Sequence, residues 1–347
     1  MKFVFIPGDG VGNEISAELI KIGRALENYT NIKFNIQTFD LGLKHYLDTG
    51  IFVSDGVIKE CKQAMAIWVG PLMDKTRDGV PIRKSIIGRL ITGLNISTFI
   101  RRIVPFNPNI NLLTSEPFDV LVLQDCIDYG SNANNFSTNI SADERMTLDI
   151  SITTHNRVIN LLNYAIKLTE NNERHKIAIA LPDDQITSDN PWIMQYKKLS
   201  LSQDLPISII SIDRLVFRLL HRPVDLDIIL TIPPYGALLS KLGAALEGGL
   251  GLAYESFVNL EGLRLFHVLH PPSDRFIGKD AANPIGAIRA LADILYHVNR
   301  PVLGRAIEQA VHSSLEAGWS TRDMGGSMGT AEIGDFICNK ISEVMPS

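Results

Sequence analysis

The segment IPGDGVGNE, residues 6–14, joins an apolar run to an amphipathic run and decides the fold class. The preceding run KFVFI, residues 2–6, is short and apolar, which is typical of a buried strand. The following residues 13–28 repeat apolar side chains at helical spacing and predict a helix. The glycines between them suit a tight turn near a nucleotide or substrate, although a purely structural strand-to-helix turn would use them equally well.

Similar apolar runs alternate with amphipathic segments along the rest of the chain. Buried strands are predicted for MAIWVG, FDVLVLQD, KIAIALP and LDIILTIPP, at 65–70, 118–125, 176–182 and 226–234. Helices are predicted at 156–169, 285–298 and 303–317. This alternation indicates an α/β fold with a largely parallel sheet. The Asn- and Ser-rich stretch at 128–146 predicts an exposed loop or protruding arm.

Composition excludes several classes of protein. Of the 347 residues, 45% are hydrophobic and 20% charged, and the net charge of -5 comes without a basic run, so we expect no nucleic-acid partner. No apolar run reaches the roughly 18 to 20 residues of a membrane span, and no signal peptide is evident, so we expect a cytoplasmic protein without membrane contact. Three widely spaced cysteines predict neither a disulfide framework nor a clustered metal site.

Two further motifs accompany the glycine-rich start. They are HPPSDRFIGKDAANPIGAI at 270–288 and TRDMGGSMGTAEIGDFI at 321–337. In order and spacing the three motifs resemble those of the β-decarboxylating dehydrogenases, a family that includes isopropylmalate, isocitrate, homoisocitrate and tartrate dehydrogenases. The resemblance covers nearly the whole chain.

The resemblance implies an α/β fold of two domains, isopropylmalate/isocitrate dehydrogenase-like, with a continuous mixed sheet flanked by helices. It implies a nucleotide-side domain of residues 1–98 plus 251–347 and a central domain of residues 99–250 with a dimerisation arm. It also implies a homodimer whose active sites form across the subunit interface.

The family oxidises a 2-hydroxy acid by hydride transfer to NAD or NADP and then removes CO2. This chemistry uses a divalent metal held by carboxylates, which stabilises the enolate. It also uses a lysine that moves the hydroxyl proton, a tyrosine that reprotonates the enolate, and arginines that bind the substrate carboxylates.

The metal carboxylates have changed in this chain. The segment that matches them is PPYGALLSK, residues 233–241, which has Ala237 and Lys241 at the two carboxylate positions. Only the third carboxylate remains, as Asp213. A lysine at about 4 Å from a dication would repel it by several kcal/mol at an intermediate dielectric. We therefore expect no metal site and no bound Mg²⁺ or Mn²⁺.

Other catalytic positions also differ. Pro182 stands at the position of the catalytic lysine, and Gln124 at that of a substrate arginine. The family tyrosine corresponds to Tyr129 if two residues are deleted there, and otherwise to Ser131.

Some groups remain available for chemistry. Arg101 matches a family arginine, and Arg102 follows it, so both are candidates for substrate binding. If the chemistry has been rebuilt without a metal, Tyr129, Lys241 and Asp125 are the candidate catalytic groups.

The segment that matches the cofactor loop keeps His270, Gly278 and Asn283. Family members that use NAD have an Asp followed by a hydrophobic residue at this place, and those that use NADP have a basic residue followed by an aromatic one. This chain has Arg275 and Phe276. These five residues are the candidate cofactor site. NADP is favoured over NAD because an arginine can bind a 2′-phosphate. Prolines at 271–272 remove two backbone N–H donors, which argues against any dinucleotide.

Three functional hypotheses follow. The first is a family member that lacks metal-dependent oxidative decarboxylation and acts as a regulatory or non-catalytic partner, in a homodimer or with an active paralogue, binding a small acid or a nucleotide. The alternative is an NAD(P)-dependent oxidoreductase or a lyase that acts on a small carboxylic acid without a metal. The third is an active dehydrogenase with displaced carboxylates, for which the segment 236–247 offers only Glu247.

Overall fold

The computed structural model describes residues 1–105, 116–126, 135–141, 144–149, 152–171, 174–202 and 206–345. The strands in this part of the chain are β1 (Lys2–Ile6), β2 (Asn35–Thr38), β3 (Ala66–Val69), β4 (Ile96–Ile103), β5 (Val120–Asp125), β6 (Asn135–Ser141), β7 (Glu144–Asp149), β8 (Ile177–Leu181), β9 (Ile207–Ser211), β10 (Ile228–Thr231), β11 (Tyr254–Asn259) and β12 (Arg264–Val268). The helices are α1 (Gly12–Glu27), α2 (Leu43–Thr49), α3 (Asp55–Lys62), α4 (Ile82–Gly93), α5 (His155–Asn171), α6 (Pro191–Ser202), α7 (Ile212–His221), α8 (Tyr235–Glu247), α9 (Ile285–His297), α10 (Pro301–Glu316) and α11 (Thr330–Val344).

The predicted fold class is confirmed. Ten strands are assigned to one mixed sheet, in the order β2-β1-β3-β12-β11-β4-β5-β10-β8-β9, and helices flank it. The four strands predicted from apolar runs all form, as β3, β5, β8 and β10. Within the described ranges, no helix has both the length and the apolar character that crossing a membrane would require.

The chain divides into two compact units. The first contains, of the described residues, 1–96, 104–105 and 241–345. Its strands β1, β2, β3 and β12 are parallel, and β11 is antiparallel to β12. One hydrophobic cluster contains Phe5, Trp68 and Phe266 together with the apolar sides of α1, α9, α10 and α11. Along each strand, these side chains alternate with residues that face the other side of the sheet. This cluster fixes the loops that follow β1, β3 and β12.

The second unit contains residues 97–103 and the described part of 116–240. Strands β5, β8, β9 and β10 are parallel, and β4 is antiparallel to β5. The carboxyl ends of β5, β8 and β10 therefore share one edge, which is the edge where α/β proteins bind ligands.

Part of the stretch predicted as a loop or arm is a separate two-stranded antiparallel sheet, formed by β6 and β7. The loop was predicted because the stretch is rich in Asn and Ser. However, Phe136, Thr138 and Ile140 alternate with polar residues, and this alternation favours a strand. The beginning of the stretch, 128–134, lies outside the described residues. Its role as a dimerisation arm stays a prediction.

Candidate functional site

The glycine turn is built into the first unit by close backbone contacts. The N–H of Asp9 donates to the carbonyl of Pro71 at 2.7 Å, and that of Val11 donates to the carbonyl of Pro272 at 2.9 Å. Gly10 has a φ of 61°, and a Cβ there would lie 1.9 Å from the Pro272 oxygen. The N–H groups of Asp9 and Val11 are thus used within the protein. These contacts support the structural interpretation of the turn over a phosphate cradle.

The side chain of Asp9 reinforces the same turn. Its two carboxylate oxygens accept hydrogen bonds from the N–H of Leu43 at 2.7 Å and of Met73 at 2.8 Å. Burial raises the pKa of Asp9 although both hydrogen bonds act to lower it. The carboxylate therefore joins the glycine turn to the start of α2 and to the loop after β3.

The candidate cofactor loop contains a 3-10 turn at Asp274–Phe276. The guanidinium of Arg275 is exposed and lies 4.7 Å from the centroid of the Phe276 ring. Gly278 has a φ of 69°, and its N–H donates to Oε1 of Glu14, on α1, at 2.6 Å. Arg275 is therefore the side chain of this turn that presents a cation to solvent, while Gly278 ties the loop to the start of α1.

Asn283 contacts Asp323, whereas Nδ1 of His270 lies 2.6 Å from the carbonyl oxygen of Pro271. Asn283 is buried, its Nδ2 donates to Oδ2 of Asp323 at 3.0 Å, and its Oδ1 accepts from the N–H of Ile285 at 3.0 Å. Burial lowers the pKa of His270, and Asp323 opposes this shift. The conspicuous TRDMGG motif was the signal that could have identified Asp323.

The loop thus gathers all five predicted cofactor residues in the first unit, but in different roles. The polar groups of Gly278 and Asn283 are bonded within the protein. Arg275 remains exposed, and an arginine guanidinium suits a phosphate oxygen pair. Of the five candidate residues, Arg275 is therefore the one whose exposed charge suits an anionic group.

In the second unit, Gln124 occupies the position of a substrate arginine. Its side chain is 1% exposed, and its Oε1 accepts a hydrogen bond from the N–H of Gly236 at 2.7 Å. A Cβ on Gly236 would lie 2.5 Å from that oxygen, so the fit is close. Gln124 therefore holds the first turn of α8 and is not presented to a ligand.

The two candidate substrate arginines lie in different surroundings. Arg101 is fully buried on β4, and its guanidinium donates to the carbonyl of Arg102. Arg102 contacts Asp119 through two nitrogens, at 3.0 and 2.8 Å from Oδ2, and Arg174 shares the same carboxylate. Although burial opposes it, the two arginines hold the pKa of Asp119 below its usual value. Arg102 pairs with Leu121 at the start of β5, away from the ligand-binding edge.

Asp125 lies at the carboxyl end of β5, where a catalytic group is expected. Its Oδ1 accepts a hydrogen bond from Nη1 of Arg157 at 2.8 Å. Pro182 follows β8 at the same edge and precedes the 3-10 turn Asp183–Gln185. Tyr129 lies outside the described residues, as does Ser131. The structure therefore places Asp125 at this edge and leaves the tyrosine as a prediction.

The former metal positions lie on α8. Ala237 is half-buried and Lys241 is exposed, one turn further along the helix. Asp213 is exposed in the first turn of α7, just after β9 ends. A methyl group and an ammonium group cannot coordinate the Mg²⁺ or Mn²⁺ that the family uses, so this donor set does not fit the metal. Within the described ranges, no group of three or more His, Cys, Asp or Glu residues could hold one.

Glu247 is the one acidic residue of segment 236–247, and it is committed elsewhere. Its side chain is fully buried, with Oε1 3.1 Å from Nη2 of Arg289 and 3.2 Å from the N–H of Val104. Arg289 also donates to the carbonyl of Leu252 at 2.6 Å. These contacts make Glu247 a structural carboxylate, which argues against the displaced-carboxylate hypothesis.

His267 is a polar residue that sequence reasoning missed. It is 3% exposed on β12, pairs across the sheet with Glu255, and its Nδ1 lies 3.2 Å from the carbonyl oxygen of Val69. Burial lowers its pKa to about 4, and the positive charges of Arg83 and Lys241 act in the same direction. Its position inside the apolar run RLFHV was the only available signal.

The sheet, the glycine turn and the loop packed against it define an α/β protein of dehydrogenase-like architecture. The fold resembles isocitrate dehydrogenase from Methylococcus capsulatus, with a TM-score of 0.83, 22% identity, and 98% and 99% of the two chains covered. It also resembles a β-decarboxylating dehydrogenase from Thermococcus kodakarensis, with a TM-score of 0.78, 20% identity, and 99% and 96% covered.

Sequence comparison identifies the family. The isocitrate/isopropylmalate dehydrogenase family model matches residues 2–337, and the chain belongs to this family. The chain is 24% identical to 3-isopropylmalate dehydrogenase of Thermobifida fusca over 352 residues, covering 99% of this chain and 98% of the relative. It is also 24% identical to the enzyme of that name from Staphylococcus aureus, strain NCTC 8325 / PS 47, with 98% of each covered.

Proposed function

We propose that this family member lacks metal-dependent oxidative decarboxylation and acts as a regulatory or non-catalytic subunit. It would do so as a homodimer or in a heteromer with an active paralogue. The observation that supports this most strongly is α8, which presents exposed Lys241 one turn from Ala237 where the family resemblance places two metal carboxylates.

Further changes in the same chemistry support the proposal. Pro182 has no proton to transfer in place of the lysine. Gln124 uses its side chain to hold α8 where an arginine would bind substrate. Glu247 is held by Arg289 and cannot replace a lost ligand without breaking a buried ion pair.

Turnover is the direct test of this function. We expect the purified chain, given Mg²⁺ or Mn²⁺ with NAD or NADP, to form no reduced nicotinamide with isopropylmalate, isocitrate, homoisocitrate or tartrate. An active 3-isopropylmalate dehydrogenase in the same assay is the positive control. Steady metal-dependent reduction with any of these acids would contradict the proposal.

A metal-independent NAD(P)-dependent oxidoreductase or lyase that acts on a small carboxylic acid is the alternative. Lys241 and Asp125, together with Arg101 and Tyr129, would be its reacting or binding groups. The relatives are named dehydrogenases, and exposed Lys241 offers a cation that suits the carboxylate of such an acid, which favours this alternative. Product formation from a small acid that survives a chelator, and is lost in Lys241→Ala, would favour this alternative over the non-catalytic role.

The cofactor proposal is that NADP binds the loop in preference to NAD. We expect Arg275→Ala to weaken NADP binding about tenfold, because a hydrogen bond to a charged group contributes roughly 1.5–3 kcal/mol, and to leave NAD binding nearly unchanged. Isothermal titration calorimetry measures both. Arg275→Lys keeps the charge and should lose less affinity. Equal affinities of the wild-type chain for both nucleotides, or no binding of either, would contradict this proposal.

A further inference from the structure

Residues 274–279 of the first unit form a short segment, here called the strap, between two residues with a left-handed backbone. Ser273 has a φ of 47° and Asp280 a φ of 48°. Residues other than glycine seldom adopt this conformation, and it persists only where the surrounding contacts hold it. Such residues are common at clamps and switch regions, so Ser273 and Asp280 are suited to act as hinges.

The backbone hydrogen bonds of the strap are largely its own. The N–H of Phe276 donates to the carbonyl of Ser273 at 2.9 Å, and that of Lys279 donates to the carbonyl of Phe276 at 3.0 Å. The N–H of Ile277 donates to the carbonyl of Asp274 at 3.2 Å. Every residue of the strap except Phe276 is exposed. A segment that keeps its own hydrogen bonds and faces solvent can open locally without unfolding the rest of the protein.

One hydrogen bond of the strap reaches a distant helix. The N–H of Gly278 donates to Oε1 of Glu14, in the first turn of α1, at 2.6 Å. A charged acceptor makes this bond stronger than one between neutral groups. Among the described residues, a Cβ on Gly278 would have no neighbouring atom within 4 Å, so packing adds little at this point. The Glu14 carboxylate is therefore the polar contact that joins the strap to α1.

The side chains of the strap depend on its position. Phe276 is half-buried and packs against the hydrophobic cluster of the first unit. The guanidinium of Arg275 lies over the Phe276 ring. If the strap leaves α1, both side chains move with it, and the Arg275 cation is no longer held in place.

The two ends of the strap are fixed independently of Glu14. Oδ1 of Asp280 accepts a hydrogen bond from the N–H of Ala331, in the first turn of α11, at 2.8 Å. Gly329 precedes that helix, and a Cβ there would lie 2.1 Å from Oδ2 of Asp280, so the glycine leaves room for this carboxylate to cap α11. At the other end, the carbonyl of Pro272 accepts the N–H of Val11. Opening is thus confined to the residues between these two anchors.

We infer that residues 274–279 open and close as one strap about Ser273 and Asp280, and that Glu14 is the latch that holds the strap closed through Gly278. The latch thereby controls whether the Arg275 cation is held in position. The inference concerns a motion of the chain itself and does not depend on whether a nucleotide binds.

Hydrogen–deuterium exchange of the purified chain, resolved to single residues by mass spectrometry, tests the latch. We expect Glu14→Ala to accelerate exchange of the four N–H groups of residues 276–279 by a common factor of about tenfold or more, because a hydrogen bond to a charged group is lost. Glu14→Gln keeps an acceptor oxygen and should accelerate exchange less. The N–H of Ala331 lies beyond the hinge and should be unchanged in both variants.

Glu27→Ala is the matched control. Glu27 lies in the last turn of α1, and its Oε1 accepts a hydrogen bond from the N–H of Phe34 at 2.6 Å. Its loss removes a comparable bond from the same helix and should leave exchange in the strap unchanged. Trypsin cleavage after Arg275 and Lys279 should increase in Glu14→Ala alone, and chemical denaturation of both variants separates local opening from global unfolding.

Three results would overturn the inference. The first is equal exchange of residues 276–279 in the wild-type chain and Glu14→Ala, which would show that Glu14 is not a latch. The second is acceleration of Gly278 alone, which would show the loss of one bond without movement of the strap. The third is equal acceleration of Ala331, which would show that the opening extends beyond Asp280 into α11.

Discussion

Replacing Glu247 with alanine is expected to lower the free energy of unfolding by about 3–5 kcal/mol, the usual cost of breaking a buried ion pair by removing one partner. The guanidinium of Arg289 would lose its carboxylate at 3.1 Å, and the N–H of Val104 would lose its acceptor. Both Glu247 and Arg289 are buried, so water cannot readily replace either contact. Chemical denaturation monitored by circular dichroism measures the change.

Three variants make this prediction specific. Glu247→Gln keeps an acceptor oxygen and should lose less stability than Glu247→Ala. Glu247→Leu combined with Arg289→Leu removes both charges and should recover part of the loss. Glu343→Ala breaks the exposed pair with Lys340 and should cost less than about 1 kcal/mol. A loss below 1 kcal/mol for Glu247→Ala would show that Glu247 is not committed to the fold, and would make it available again as a metal ligand.

The second large effect is a loss of stability in acid caused by His267. Because burial lowers its pKa to about 4, the folded chain keeps the imidazole neutral where the unfolded chain, with a pKa near 6.5, protonates it. The unfolded state therefore binds more protons between these two values, and stability falls as the pH falls from about 6.5 to about 4. The difference between the two pKa values corresponds to about 3 kcal/mol of the free energy of unfolding. This contribution is fully present above pH 6.5 and is lost by about pH 4.

His267→Gln isolates this contribution. Glutamine can donate to the carbonyl of Val69 without titrating, so the free energy of unfolding should lose about 3 kcal/mol less between pH 7 and pH 4 than in the wild-type chain. His175→Gln, at an exposed histidine, is the control and should leave the pH profile unchanged. Identical profiles for wild type and His267→Gln would contradict the buried neutral imidazole.

The sequence predicts the strands and helices whose residues show a local pattern of apolar side chains. The run KFVFI and the helical periodicity after it predict β1 and α1, and the glycines between them predict the turn. The sequence left the purpose of that turn open. The choice depended on Pro272, which lies far along the chain and whose carbonyl accepts the N–H of Val11.

The parts that the sequence could not reveal depend on contacts between distant segments. The hydrogen bond between Gln124 and Gly236 spans 112 residues, and the contact between His267 and Val69 spans 198. Local composition does not predict such pairs. The sequence therefore shows that Gln124 replaces a substrate arginine, but it does not show that Gln124 bonds to Gly236. The same reason explains why Arg101 and Arg102 looked equivalent in the sequence and differ in their surroundings.

Mn²⁺ binding to the purified chain, measured from the electron paramagnetic resonance signal of the free ion, tests the loss of the metal site most directly. We predict no saturable binding by the wild-type chain. Neither Ala237 nor Lys241 has an oxygen atom that could coordinate the ion, and the positive charge of Lys241 repels it. Ala237→Asp combined with Lys241→Asp should gain saturable binding. Micromolar, saturable Mn²⁺ binding by the wild-type chain would contradict the proposal that metal-dependent chemistry has been lost.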